Sequence, residues 1–225
     1  HYFIRASQRL EVENRLDAAV GVLVTAAEML SEQGERDERL SLLRRIGELC
    51  VRGRLVDLGE KHLESAIALA EAAMRDEQVA VFSMLRGQLL GRANRTEEGM
   101  QWLDRARSLA RSVGKKELLR DVTLATAQAH TRIGDYATAI GLLRDAHKLA
   151  RETGDGIATL RSMLPLAVAH AAAGDATRAQ ETLEAARRLL PTPEPPMLEC
   201  EHLLAELQVA YYSGAPDDAI GVGLR

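Results

Sequence analysis

The chain has 225 residues, of which 46% are hydrophobic, 28% charged and only 3% aromatic, with a formal net charge of −4. That balance excludes the basic footprint that nucleic acid demands, and two Phe, four Tyr and one Trp are too few for a base-stacking platform. No run of 18 apolar residues occurs, so neither a transmembrane helix nor a membrane partner is expected.

Taken in order, the chain is one unit written about six times. Apolar residues recur with helical spacing, and the expected helices run roughly over 2–12, 15–31, 37–52, 55–73, 77–92, 95–112, 116–132, 135–152, 157–172, 175–190, 197–213 and from 216 onward. They alternate as first and second helices of a pair, with tight turns near residues 14, 54, 94, 134, 174 and 214. No segment alternates with a strand's period of two. Each second helix carries the same columns. Its first column is small: Ala19, Gly59, Gly99, Ala139, Ala179 and Ala219. Leu23, Leu63, Leu103, Leu143 and Leu183 follow one turn later, then Ala26, Ala66, Ala106, Ala146 and Ala186, then Met29, Leu69, Leu109, Leu149 and Leu189. Steps of four, three and three place these on one stripe of a helix. Each first helix carries a small residue too: Ser7, Gly47, Gly87, Ala127 and Ala167, with Leu207 breaking the column.

A fixed period of this length is the mark of a stacked repeat, in which each unit buries its apolar face only against its neighbours. The chain resembles the tetratricopeptide repeat family in Leu166-Ala167, Gly174-Asp175, Ala179, Leu183, Ala186 and Pro191. The period of 40 residues, longer than the usual 34, is similar to the long-repeat branch. The resemblance implies an all-α fold: an α-solenoid of antiparallel helix pairs wound as a right-handed superhelix. The expected organisation is a single solenoid over 1–225, incomplete at its C-terminal end. His1 is not an initiator methionine, and IGVGLR stops inside a second helix, so a fragment of a larger, bacterial-type protein is expected. Its uncapped end, around Leu203, Leu207 and Ile220, is expected to self-associate.

Smaller features carry further expectations. Gly34, Gly114 and Gly154 share a column just past a second helix and read as left-handed exits, whereas Met74 and Glu194 in that column should exit differently. Pro165 should kink its helix or delay its start. The segment PTPEPP, 191–196, reads as a stiff connector. Cys50 and Cys200, far apart in the sequence, read as two small buried hydrophobes rather than a disulfide, in keeping with a cytoplasmic location.

No catalytic, cofactor or metal constellation is legible. Glu199 and His202 form one Glu-x-x-His where a bundle-type metal site needs two pairs. His130 and His170 share a column and read as packing residues. Gly114-Lys115-Lys116 lacks the upstream glycine and following hydroxyl of a P-loop. What remains is a surface. The resemblance implies a concave face lined by the first helices, read along each helix at steps of four. There stand Ile4, Gln8 and Val12, then Arg44, Glu48 and Arg52, then Met84, Gln88 and Arg92. Leu124, Gln128 and Arg132 come next, then Leu164, Val168 and Ala172, and last Leu204, Gln208 and Tyr212.

The expected function is a non-enzymatic scaffold that holds a peptide or partner helix on this face. The residues assigned to contact are Arg52, Gln88, Arg92, Gln128, Arg132, Leu164, Val168, Gln208 and Tyr212. The arginine column would meet an acidic or amphipathic partner, with Glu48 partly neutralising Arg52 and leaving Arg92 and Arg132 for the partner's carboxylates. The alternative is a regulatory arm of a larger signalling protein, such as an ATPase-coupled transcriptional regulator or a protein kinase.

Overall fold

The computed structural model describes residues 2–30, 36–191 and 195–214. Among the described residues there are eleven α-helices and no strand: α1 Tyr2–Val12, α2 Leu16–Met29, α3 Arg36–Gly53, α4 Val56–Ala72, α5 Asp76–Arg92, α6 Thr96–Val113, α7 Lys116–Arg132, α8 Tyr136–Glu152, α9 Gly156–Ala172, α10 Ala176–Arg187 and α11 Pro196–Tyr212. The helix expected from residue 216 lies outside the described residues, as do Gly34, Glu194, Ala219 and Ile220.

The chain falls into two compact units, His1–Leu118 and Leu119–Arg225. In the first, each helix packs on the next from α1 to α6, and α3 also packs beside α5. In the second, α8 packs on α9, α9 on α10, and α11 on both α9 and α10. Tight turns between consecutive packed helices make each pair antiparallel. The first helices α3 and α5 lie side by side, and so do α9 and α11, which gives each unit a face made of first helices alone.

The turns explain the pairing. Asn14, Arg54, Asn94, Gly134, Gly174 and Gly214 all have positive φ, between 54° and 85°. The chain there closes through its own amides: Arg15 N donates to Leu10 O at 2.9 Å, Asp135 N to His130 O at 3.0 Å and Asp175 N to His170 O at 2.9 Å. This left-handed closure satisfies carbonyls that a helix end leaves open. Asp135 and Asp175 then cap the next helix, accepting from Thr138 N at 3.2 Å and Arg178 N at 3.0 Å. Gly114 and Gly154 exit with φ of 75° and 71°, as the sequence implied. The expectation that Met74 exits differently is wrong. Met74 takes φ of 51°, and Arg75 N closes onto Ala70 O at 3.0 Å, so the backbone closure prevails over the side chain's distaste for that conformation.

The stripe packs as its columns require. The small, leucine and alanine columns of α2, α4, α6, α8 and α10 are all buried, and so is the small column Ser7, Gly47, Gly87, Ala127 and Ala167. The last column departs from expectation: Leu69, Leu109 and Leu149 are half-buried, but Met29 and Leu189 are exposed. The helix stops too soon to carry them inward, since α2 ends at Met29 itself and α10 ends at Arg187. α5 crosses α6 at close range. A Cβ placed on Gly99 would stand 2.8 Å from Gly87 O and 3.1 Å from Gly91 N, so backbone meets backbone there.

Two further expectations need correction. Pro165 does not delay its helix: α9 starts at Gly156, where Asp155 accepts from Ala158 N at 2.9 Å, and runs through to Ala172. Cys50 is buried, and desolvation pushes its thiol up to about 11. Cys200, however, is exposed, because α11 turns Leu198, His202, Ala205 and Val209 inward and leaves position 200 on the other side. Both thiols are free.

Ion pairs tie neighbouring repeats across the surface: Arg75 to Asp37, Lys115 to Glu77, Arg95 to Glu60, Arg105 to Glu71 and Arg161 to Glu201. Each is exposed enough to contribute little alone. The histidines matter more for pH. Burial holds His62, His147 and His170 below the ordinary imidazole value, with Lys61, Arg151 and Arg144 beside them acting in the same direction. Such groups stay neutral in the fold and take up protons first in the unfolded chain. Their contribution is therefore complete above about pH 6.5 and is lost as pH falls below it. Urea midpoints are expected to drop between pH 7.5 and pH 5.5, and His170→Gln is expected to flatten that slope. A slope unchanged in the variant would remove His170 from the account.

Candidate partner-binding groove

In the second unit the first helices α7, α9 and α11 enclose an open groove of about 400 Å³. Its lining includes Leu124 and Gln128 from α7, Leu164 and Val168 from α9, and Leu204 and Gln208 from α11. These six are the leading pair of positions that the sequence assigned to the inner face in each of three successive repeats. Helical steps of four set the two residues of each pair one turn apart, and the repeat brings the pairs side by side. The floor is apolar. Leu164 is buried, Val168 is half-buried and Leu204 is 55% exposed. Gln128 and Gln208 are exposed, and each amide can both donate and accept.

Four further residues line the groove that sequence reasoning did not assign: Arg161, Pro165, Glu201 and Ala205. Arg161 and Glu201 were within reach of it, since opposite charges one repeat apart in the same column predict a cross-repeat pair. Arg161 donates through Nε and Nη2 to the two Glu201 oxygens, both at 2.9 Å. This fork-to-fork pair closes both charges on each other at the groove wall.

The remaining assigned residues do not line this groove. Arg132 is exposed in the last turn of α7. Tyr212 ends α11, 46% exposed, its ring edge-on to Tyr211 at 5.5 Å between centroids. In the first unit Gln88 is half-buried on α5, and Arg92 is exposed in its last turn. Arg52 is exposed on α3, but its neutralising partner is not Glu48. Arg52 donates to Glu11 Oε2 at 2.8 Å, and Arg45 reaches the same oxygen at 2.5 Å. Glu48 is taken by Arg44 at 3.0 Å, because the arginine one turn before it competes for the same carboxylate.

Among the described residues no cluster of three or more His, Cys, Asp or Glu could hold a metal ion. His202 is buried and turned toward Leu183 O at 3.4 Å and Glu206 Oε1 at 3.5 Å, while Glu199 is exposed. His130 Nδ1 lies 3.0 Å from Asp135 Oδ2, the residue that caps α8, so its role is local. No helix of the described residues is long and apolar enough to cross a membrane. A second cavity, of about 460 Å³, lies against α2, α3 and α4 beside Glu28, Lys61 and His62 and contains no assigned residue.

No protein-family model and no curated protein matches the sequence. Solved structures do. A Rap protein complexed with Competence and Sporulation Factor superposes with a TM-score of 0.80 at 13% identity, covering 98% of this chain and 62% of that one. The Rap conjugation gene regulator of the plasmid pLS20, in complex with the Phr* peptide, gives 0.77 at 13% identity over 98% of this chain and 60% of that one. A signal transduction ATPase with numerous domains and a tetratricopeptide repeat sensor, from Pyrococcus horikoshii, gives 0.64 at 15% identity over 96% of this chain and 31% of that one. The chain thus spans about three fifths of the length of the Rap structures it matches. At such identities the likeness is one of fold. Repeating columns, antiparallel helix pairs and these superpositions together establish the tetratricopeptide-type helical-repeat fold, all α, for this chain.

Proposed function

We propose that the chain is a non-enzymatic protein-interaction scaffold that binds a peptide or partner segment on the face made by its first helices. The observation that carries this reading is the groove of α7, α9 and α11, where an apolar floor is flanked by two exposed glutamines. Apolar surface left open between repeats, edged by groups that can bond a main chain, fits a peptide better than a small polar substrate. The pLS20 regulator, similar in fold, was solved with a peptide bound. In the first unit Arg92, exposed in the last turn of α5, offers a contact for a partner's carboxylate.

Affinity selection of a random octapeptide library on the chain, followed by calorimetry, tests the reading. Leu204→Asp and Val168→Asp each set a carboxylate against the apolar floor. They are expected to weaken the selected peptide at least about tenfold while circular dichroism stays unchanged. Arg92→Glu tests the first unit by itself: it is expected to weaken acidic peptides that bind that unit, and less so as salt rises. Undiminished binding in both floor variants would move the site elsewhere.

A second reading is a sensor arm of a larger signalling protein, favoured by the likeness to the ATPase with a tetratricopeptide repeat sensor. In that case the groove would be the sensor's input surface, and peptide binding would change the activity of an adjoining domain.

A further inference from the structure

Pro165 lies inside α9 and has no amide hydrogen. The carbonyl of Arg161, one turn earlier, therefore lacks the donor that an α-helix supplies at that position. Both residues line the groove, so this carbonyl lies on the groove face of α9. The charges nearby are already matched, since Arg161 and Glu201 hold each other through two bonds. What faces an incoming ligand is an apolar floor, the amides of Gln128 and Gln208 on either side, and one backbone acceptor without its usual partner.

These groups read a main chain, not a charge. An amphipathic helix would bring a backbone whose N–H groups are already bonded beyond its first turn. An extended segment brings free N–H and C=O groups along its length, as glutamine amides and an open carbonyl require. From this, resting on the groove being the binding surface, we infer that it takes an extended peptide of low net charge. The Arg161 carbonyl accepts a hydrogen bond from one of that peptide's backbone N–H groups. An acceptor open to solvent bonds water. A ligand that displaces this water must replace its bond, so the position acts as a specificity determinant.

The test uses the 225-residue chain and the tightest peptide from a random octapeptide library, remade with each backbone nitrogen methylated in turn. Binding is measured to wild type, to Pro165→Ala and to Pro165→Val, which keeps bulk in the groove. Both variants restore an N–H that bonds Arg161 O within the helix. They are expected to melt higher than wild type and to bind the unmodified peptide about tenfold more weakly. One methylation is expected to cost wild type about tenfold and to cost either variant nothing. Equal affinities, or the same methylation profile in all three proteins, would overturn the role of the carbonyl and leave the peptide groove standing. A bound peptide that is helical by NMR would overturn the extended mode. A peptide indifferent to Leu204→Asp would overturn the groove reading, and this inference with it.

Discussion

Leu143→Ala is expected to destabilise the chain by about 2–5 kcal/mol, read as the shift in urea unfolding followed by circular dichroism. Leu143 is 1% exposed on α8 and packs in one cluster with Ala127, Leu166 and Ala169, with Leu124, Ile140 and Leu142 against it. The cluster draws on α7, α8 and α9 at once. In a repeat fold the contact between neighbours is what holds each unit, so a cavity there weakens two interfaces rather than one. Leu124 also lines the groove, so the same substitution is expected to blunt peptide binding. Leu189→Ala is the control. It removes the same atoms from a side chain 44% exposed and is expected to stay within about 0.5 kcal/mol. Equal costs at the two positions would mean that the leucine column is not the core.

Gly99→Ala is expected to destabilise by about 1–3 kcal/mol, against the direction of helix propensity. Propensity alone would favour alanine by up to about 1 kcal/mol. Geometry decides otherwise, because the new methyl would stand 2.8 Å from Gly87 O and 3.1 Å from Gly91 N. Both are backbone atoms and cannot rotate away, so α5 and α6 must part. Gly47 differs, since its Cβ would meet only the side chains of Leu63 and Leu85, which can yield. Gly141, exposed on α8 with nothing within 4 Å of its Cβ, gives the opposite sign: Gly141→Ala is expected to raise the melting temperature. Should Gly99→Ala also raise it, the close crossing of α5 and α6 would be disproved.

The fold was legible because its determinants are local and repeated. A small residue, a leucine and an alanine on one helical stripe set the pairing, and five copies of the same stripe left little room for another reading. Helix period and repeat length put Leu124, Leu164 and Leu204 in one column, and all three line the groove of the second unit. What escaped notice depends on neighbours distant in sequence. Glu11 clamps Arg45 and Arg52 from two helices away, and local spacing pointed instead to Glu48. Pro165 was read as a fault in a helix, whereas the helix absorbs it and sets its ring against the groove. Met74 was misread because residue preference opposed the left-handed conformation, and the backbone hydrogen bonds of the exit outweigh that preference. Cys200 was misread because composition says how often a cysteine is buried, not which side of its helix it occupies.

The left-handed turns bear on how such a chain changes length over evolutionary time. At 14, 54, 94, 134, 174 and 214 the helix-to-helix closure asks one thing of the sequence, a residue that tolerates positive φ, and asparagine, arginine and glycine all serve. The bonds that complete it come from main-chain atoms, which every residue owns. A gene crossing over between any two of these points would rejoin helix ends that already fit. Whole copies can then be gained or lost without redesigning a junction, while the exposed positions of the first helices remain open to substitution.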